Sequence, residues 1–168
     1  MNILAIDPGK NGAIAVSTHH RIPGLELVYS QVHGAWIGCR PFKGQPLSIL
    51  PIVRGIRRWG STVAVLERVW AMPSQGVVSM FSFGEAYGQV QGILYALDVD
   101  VRYVTAREWK SVLGLTGTSK KSSDWKSPLV AMIKQQLPNL VDGHNVSDSS
   151  LDSLGILLYG LNVLPSSA

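Results

Sequence analysis

Along this chain of 168 residues, short apolar runs with strand character come first, and runs with helical spacing separate the later ones. Leading strands followed by strand and helix in alternation confine it to an α/β architecture with a mixed sheet. Asn2 to Ile6 is an apolar run that ends at Asp7. Pro8-Gly9-Lys10-Asn11-Gly12 then supplies dense turn chemistry, and Ala13 to Val16 resumes the apolar pattern. Leu25 to Val32 predicts a third strand, whereas Gly34 to Pro46, rich in glycine and proline, reads as a loop. Leu47, Leu50, Val53 and Ile56 have helical spacing within Pro46 to Gly60, with Arg54, Arg57 and Arg58 on the other side. Thr62 to Leu66 is a β-branched run fit for a strand buried on both faces, and it ends at Glu67.

The longest helical candidate runs from Gly76 to Leu97, and Asp98 to Val104 alternates like a strand near a sheet edge. Thr105 to Leu113 predicts a short helix capped by Thr105, and Pro128 to Leu137 a further helix with its proline in the first turn. Between them, residues 114 to 127 (GLTGTSKKSSDWKS) form the best candidate for a mobile loop. Ser147 to Leu164 predicts the last helix, ended by Pro165. The length fits one domain over residues 1–168, large enough for a core without disulfides or structural zinc. Cys39 is the only cysteine, which excludes a disulfide scaffold and a zinc finger and suits a reducing compartment. No apolar stretch is long enough to span a membrane, and the N-terminus lacks the basic flank of a signal peptide.

Charge narrows the class of partner. The chain carries a net +4. Residues 102 to 134 hold Arg102, Arg107, Lys110, Lys120, Lys121, Lys126 and Lys134 against Glu108 and Asp124. That surplus exceeds the whole chain's, so the basic charge is concentrated and points to an anionic partner. The acids elsewhere are few enough to weigh singly. Asp7 and Glu67 each close an apolar strand, while Asp148 and Asp152 lie four apart in the last helix and so share a face. Each has a plainer reading: an Asp before Pro-Gly forms turns, and Asp148 favours a helix dipole. Together, crowded carboxylates would repel unless a cation neutralised them, and two magnesium ions bridged by a carboxylate serve phosphodiester hydrolysis.

These residues resemble a known family. IDPGKNGAIAV at the start, VLERVW at 65 to 70 and DSSLDSLGILLYG at 148 to 160 are similar to the RuvC-type Holliday junction resolvases of the RNase H-like superfamily. VTAREWKSVLGL followed by a Lys-Lys loop resembles the small RuvC-like nucleases of bacteriophages. The resemblance implies a five-stranded mixed sheet flanked by helices and a homodimer. It also implies two Mg2+ (or Mn2+) ions per active site and paired nicking of four-way DNA junctions that leaves 5′-phosphate ends. A bacterial or phage-infected cytoplasm follows from it.

By position, the resemblance gives Asp7, Glu67 and Asp152 metal-binding and catalytic roles. The family's fourth acid falls where this chain has Ser149, so the role passes to Asp148, with His144 as the alternative. Lys110, Lys120 and Lys121 resemble basic residues that contact the scissile phosphate region, Lys120 and Lys121 being assigned to the catalytic set as well. Arg68 and Lys126 join them as candidate DNA contacts. Trp70 stands where the family carries an aromatic near the junction centre; it either stacks on an unpaired base or is a core or dimer contact. Gly84, Gly88 and Gly92 give the long helix a smooth stripe, expected to pack on the sheet, with a dimer axis as the other reading. Three rivals stay open: a nuclease of the same superfamily acting on other branched DNA or RNA–DNA hybrids, a non-cutting nucleic-acid-binding relative, and one lobe of an actin or sugar-kinase ATPase.

Overall fold

The computed structural model describes residues 1–22, 25–71, 76–115, 126–138, 140 and 148–165. Its strands are β1 (Asn2–Asp7), β2 (Ala13–Thr18), β3 (Val28–Ser30), β4 (Ala35–Pro41), β5 (Thr62–Glu67) and β6 (Asp100–Val104). Its helices are α1 (Leu50–Arg57), entered through a 3-10 turn at Pro46–Ile49, α2 (Val77–Ala96), α3 (Ala106–Val112), α4 (Lys126–Gln136) and α5 (Asp148–Val163). The strands form one mixed sheet in the order β3-β4-β2-β1-β5-β6. β1 runs antiparallel to β2 and parallel to β5, and β5 runs parallel to β6. The last of these is the edge strand that the alternation at Asp98 to Val104 predicts.

The α/β class stands, but the sheet has six strands rather than five. The added strand, β4, occupies the segment that glycine and proline mark as a loop. Gly38 is there for a different reason than turning. A Cβ on it would stand 2.2 Å from the Glu26 carbonyl oxygen, so the residue lets a neighbouring backbone lie directly on the strand. The predicted third strand, Leu25 to Val32, shortens to the three residues of β3.

Strand alternation divides the core between two faces. Ile3, Ala5, Ala15 and Val65 join Leu154, Ile156, Leu157 and Leu158 of α5, together with residues of α3 and α4. Leu4, Ile6, Ile14, Val16, Ala64 and Leu66 point the other way, onto Ile52, Val53 and Ile56 of α1 and Val90 and Leu94 of α2. Helix α5 lies across β1, β2, β4 and β5, and both α3 and α4 rest on it. At the amino ends of β1 and β5 and the carboxyl end of β2, Asn2 locks three strands together. Its amide donates to Thr62 Oγ1 and to the Ile56 carbonyl, both at 3.4 Å, and its Oδ1 accepts from Thr18 Oγ1 at 2.9 Å. Buried polar groups of this kind fix register, because an offset would orphan them.

Helix α2 packs through Ala86, Val90, Ile93 and Leu94. Gly84, Gly88 and Gly92 do not face the sheet: all three are exposed, with open space where a side chain would go. The physical reason is supply, since the larger apolar residues on the opposite side already fill the contact. None of the described helices is long and apolar enough to cross a membrane.

Candidate active site

The site begins with two parallel strands that end side by side. The register that pairs Ile6 with Leu66 brings Asp7 and Glu67 level at the carboxyl ends of β1 and β5. Adjacent strands lie about 4.8 Å apart, so the two backbones are close neighbours. Side-chain parity decides where the carboxylates go. Asp7 shares a face with Ile3 and Ala5, and Glu67 with Val65, which is the face covered by α5. Asp152 enters from that helix, with its Oδ1 buried.

Electrostatics register the convergence. The Asp7 carboxyl is raised from 3.8 to about 6, first by burial and then by the charge of Asp152. A hydrogen bond from the Gly9 backbone N–H to Asp7 Oδ1, at 3.4 Å, acts the other way. Glu67 is raised from 4.5 to about 7 by burial, by Asp7 and by Asp152. The positive charge of Lys110 lowers both values. Its Nζ lies 5.0 Å from the centre of the Trp109 ring.

Trp109 is the residue that sequence reasoning missed. It is fully buried, and its Nε1 donates to Glu67 Oε1 at 3.4 Å. Helix α3 presents it there, fixed by a capping box in which Thr105 Oγ1 accepts from the Glu108 N–H while Glu108 Oε2 accepts from the Thr105 N–H. That confirms the cap predicted at Thr105. Gly155, three residues beyond Asp152 on α5, leaves room for the indole: a Cβ there would stand 2.7 Å from Trp109 Cζ3. A glycine inside an otherwise apolar helix was the available signal.

Among the other expected residues, Trp70 is 59% exposed, so it is not a core residue. The Arg68 guanidinium lies 5.5 Å from the centre of its ring. Asp148 opens α5 and Lys126 opens α4. The side chains of those two, together with Lys120, Lys121, His144 and most of the loop expected at 114 to 127, lie outside the described residues.

Among the described residues, no group of three or more His, Cys, Asp and Glu is placed to hold a metal ion. The donor set still suits magnesium or manganese. Asp7, Glu67 and Asp152 offer only carboxylate oxygens, and magnesium is usually held by one or two carboxylates with water and substrate phosphate completing the shell. The mutual repulsion of Asp7, Glu67 and Asp152 is what a divalent cation relieves.

No family model matches the chain, and no curated protein matches it by sequence. Solved structures do match. Thermus thermophilus RuvC superposes with a TM-score of 0.61 at 17% identity, over 95% of this chain and 92% of that one. The same protein in complex with a Holliday junction substrate gives 0.60 at 15% identity, over 95% and 91%. The fowlpox virus resolvase, in complex with its substrate Holliday junction DNA, gives 0.52 at 16% identity, over 96% and 99%. At this level of identity the likeness is one of fold: the chain is an α/β protein whose mixed sheet, flanked by helices, is laid out as in these structures.

Proposed function

We propose that this chain is a divalent-metal-dependent DNA endonuclease that resolves four-way junctions by paired nicks. The observation that carries the proposal is the level placement of Asp7 and Glu67 at adjoining strand ends, with Asp152 raising the pKa of both. Four-way-junction DNA as substrate is supported by the two superposed complexes, each of which holds such a junction.

In this reading Asp7, Glu67, Asp152 and, from the start of α5, Asp148 hold two Mg2+ or Mn2+ ions. Such a pair supplies Lewis acidity at the phosphate and an activated water for in-line attack. The chain's own residues do the rest. Trp109 holds one oxygen of Glu67, which leaves the other to face the substrate. Lys110 brings a positive charge toward the phosphate, and Lys120, Lys121 and Lys126 are the further basic residues that this reading assigns to DNA contact. Attack by the water oxygen forms one P–O bond and breaks the bond to the 3′-oxygen, leaving a 3′-hydroxyl and a 5′-phosphate.

A four-way junction presents two equivalent strands, which suits two sites in a symmetric dimer. The exposed side of α2 offers a surface for it: Val77, Phe81 and Tyr95 stand out from the helix with the three glycines between them. The deciding experiment incubates a synthetic four-way junction with the protein in Mg2+, beside Asp7→Asn, Glu67→Gln and Asp152→Asn. Wild type yields symmetric nicks and the variants bind without cutting; full cutting by any variant removes that residue from the site.

A further inference from the structure

At the end of the sheet opposite the carboxylates, exposed aromatic rings and cations share one face. We propose that this face binds a single strand of nucleic acid with unpaired bases, separately from any DNA held at Asp7 and Glu67. The proposal goes beyond the nuclease reading and does not depend on it.

Strand direction fixes the place. Thr18, the last residue of β2, pairs with Trp36 near the start of β4, and Trp36 pairs in turn with Tyr29 of β3. The two paired rings share a side of the sheet. Ile37, next along β4, belongs to the core under α5, so Trp36 and Tyr29 are on the side of α1. β1 climbs from this end to Asp7 in five residue steps, which sets the carboxylates about 17 Å away. The chain leaves β2 through His19, His20 and Arg21, all exposed, and dives at Ile22, buried against Gly55 of α1.

Two consecutive residues of that loop each hold one tryptophan. The His20 imidazole stacks on Trp59, with ring centres 4.7 Å apart and planes within 23°. The Arg21 guanidinium lies 4.4 Å from the centre of the Trp36 ring, and Tyr29 meets Trp36 edge-on at 5.4 Å. Trp59 is nevertheless 52% exposed and Tyr29 48%, so these contacts hold the rings in place without burying them. Exposed apolar surface ringed by polar groups marks an interaction site.

The surrounding charge names the partner. Arg54 and Arg58, both exposed, lie four apart at the carboxyl end of α1 and share a face, and Trp59 follows directly. Arg57 is committed elsewhere, to the Leu97 carbonyl at 2.9 Å and to Asp98 at 3.6 Å. Glu26 is the acid on the β3 flank. Among the described residues, no carboxylate lies within ion-pair distance of Arg21, Arg54 or Arg58. Flat rings among such cations suit an unpaired strand: the rings stack on bases of any identity while the cations take the phosphates. Duplex DNA keeps its bases stacked on one another and offers the rings nothing. An acidic peptide would satisfy the arginines and leave the rings without a role.

Two measurements test this. Without divalent metal, a labelled oligothymidylate, which forms no duplex, is titrated with the full chain in the presence of excess unlabelled four-way junction, and its anisotropy is followed. Trp59→Ala and Arg21→Ala should each weaken binding about fivefold or more, whereas Trp59→Phe, which keeps a stacking face, should stay within about twofold of wild type. Arg54→Ala together with Arg58→Ala should lower the slope of log affinity against log salt by about 1.4, as for two lost phosphate contacts on a single strand. In Mg2+, junction cutting by all of these variants should match wild type. Strand binding indifferent to Trp59→Ala overturns the proposal, and so does an equal loss of duplex binding in that variant. Polyglutamate bound more tightly than oligothymidylate, with the same dependence on Arg54 and Arg58, would make the partner an acidic protein instead. Cutting lost in step with strand binding would overturn the separation of the two sites. If wild type cuts no junction, the nuclease reading fails while the anisotropy still decides this face.

Discussion

The indole of Trp109 and the α-carbon of Gly155 are in direct contact, and a methyl group on Gly155 would overlap Cζ3 at 2.7 Å. Through this contact α5, which carries Asp152, sets the ring that holds Glu67. The two helices and the strand end therefore form one unit around the carboxylates.

Gly155→Ala pits two effects against each other. Alanine favours a helix over glycine by roughly 1 kcal/mol, while overpacking a filled core costs about 1–3 kcal/mol. The overlap falls on a rigid, fully buried ring, so overpacking wins. Thermal denaturation should show a melting temperature lower by a few degrees, and junction cutting should fall as the indole shifts from Glu67. A more stable, fully active Gly155→Ala protein would show that the ring has room to move.

Acidity offers an independent check. Asp7 and Glu67 sit at about 6 and about 7, above their ordinary 3.8 and 4.5. Raised carboxyl values mean that the folded chain binds protons more tightly than the unfolded one. That stabilisation is full below the unfolded values and disappears as pH rises through 6 to 7. Metal-free protein should therefore melt higher near pH 5.5 than near pH 8, and Asp7→Asn should flatten the difference. Added Mg2+ should raise the melting temperature more at the higher pH, where the carboxyls are ionised. A metal-free profile identical in wild type and Asp7→Asn would show that the carboxylates do not crowd.

Lys110→Ala should raise the carboxyl values further, because the lysine is the charge that opposes their mutual repulsion. The pH at which cutting reaches half its maximum should then move upward. Junction affinity should lose about one unit of its slope against log salt, as for one lost phosphate contact. An unmoved pH profile would place Lys110 away from the reacting groups.

The exposed side of α2 makes a prediction about assembly. Phe81→Asp, at a residue 76% exposed, should leave the fold intact by circular dichroism. Light scattering should give a dimer for wild type and a monomer for the variant, with paired nicking reduced to single, uncoordinated nicks. A dimer that survives both Phe81→Asp and Gly88→Arg would place the interface elsewhere.

Much of this was legible in the residues because charge interrupts apolar runs at few places. Asp7 and Glu67 stand out as acids that close apolar strands, and α5 follows directly from its spacing. Trp109 was not legible, because a tryptophan in a capped amphipathic segment looks the same whether it fills a core or holds a carboxylate. Its partner Gly155 lies 46 residues on, and only the folded chain joins them. β4 was missed because Gly38 is a residue of close approach there, not of turning.

The shared parity of Asp7 and Glu67 makes strand length part of the chemistry. Deleting one residue within Val63–Leu66 would leave β5 apolar and able to pair. It would also turn the terminal carboxylate toward α1, with the whole sheet between it and Asp152. Such a shortened chain would part Glu67 from Asp152, so this strand can exchange one aliphatic residue for another far more freely than it can lose one.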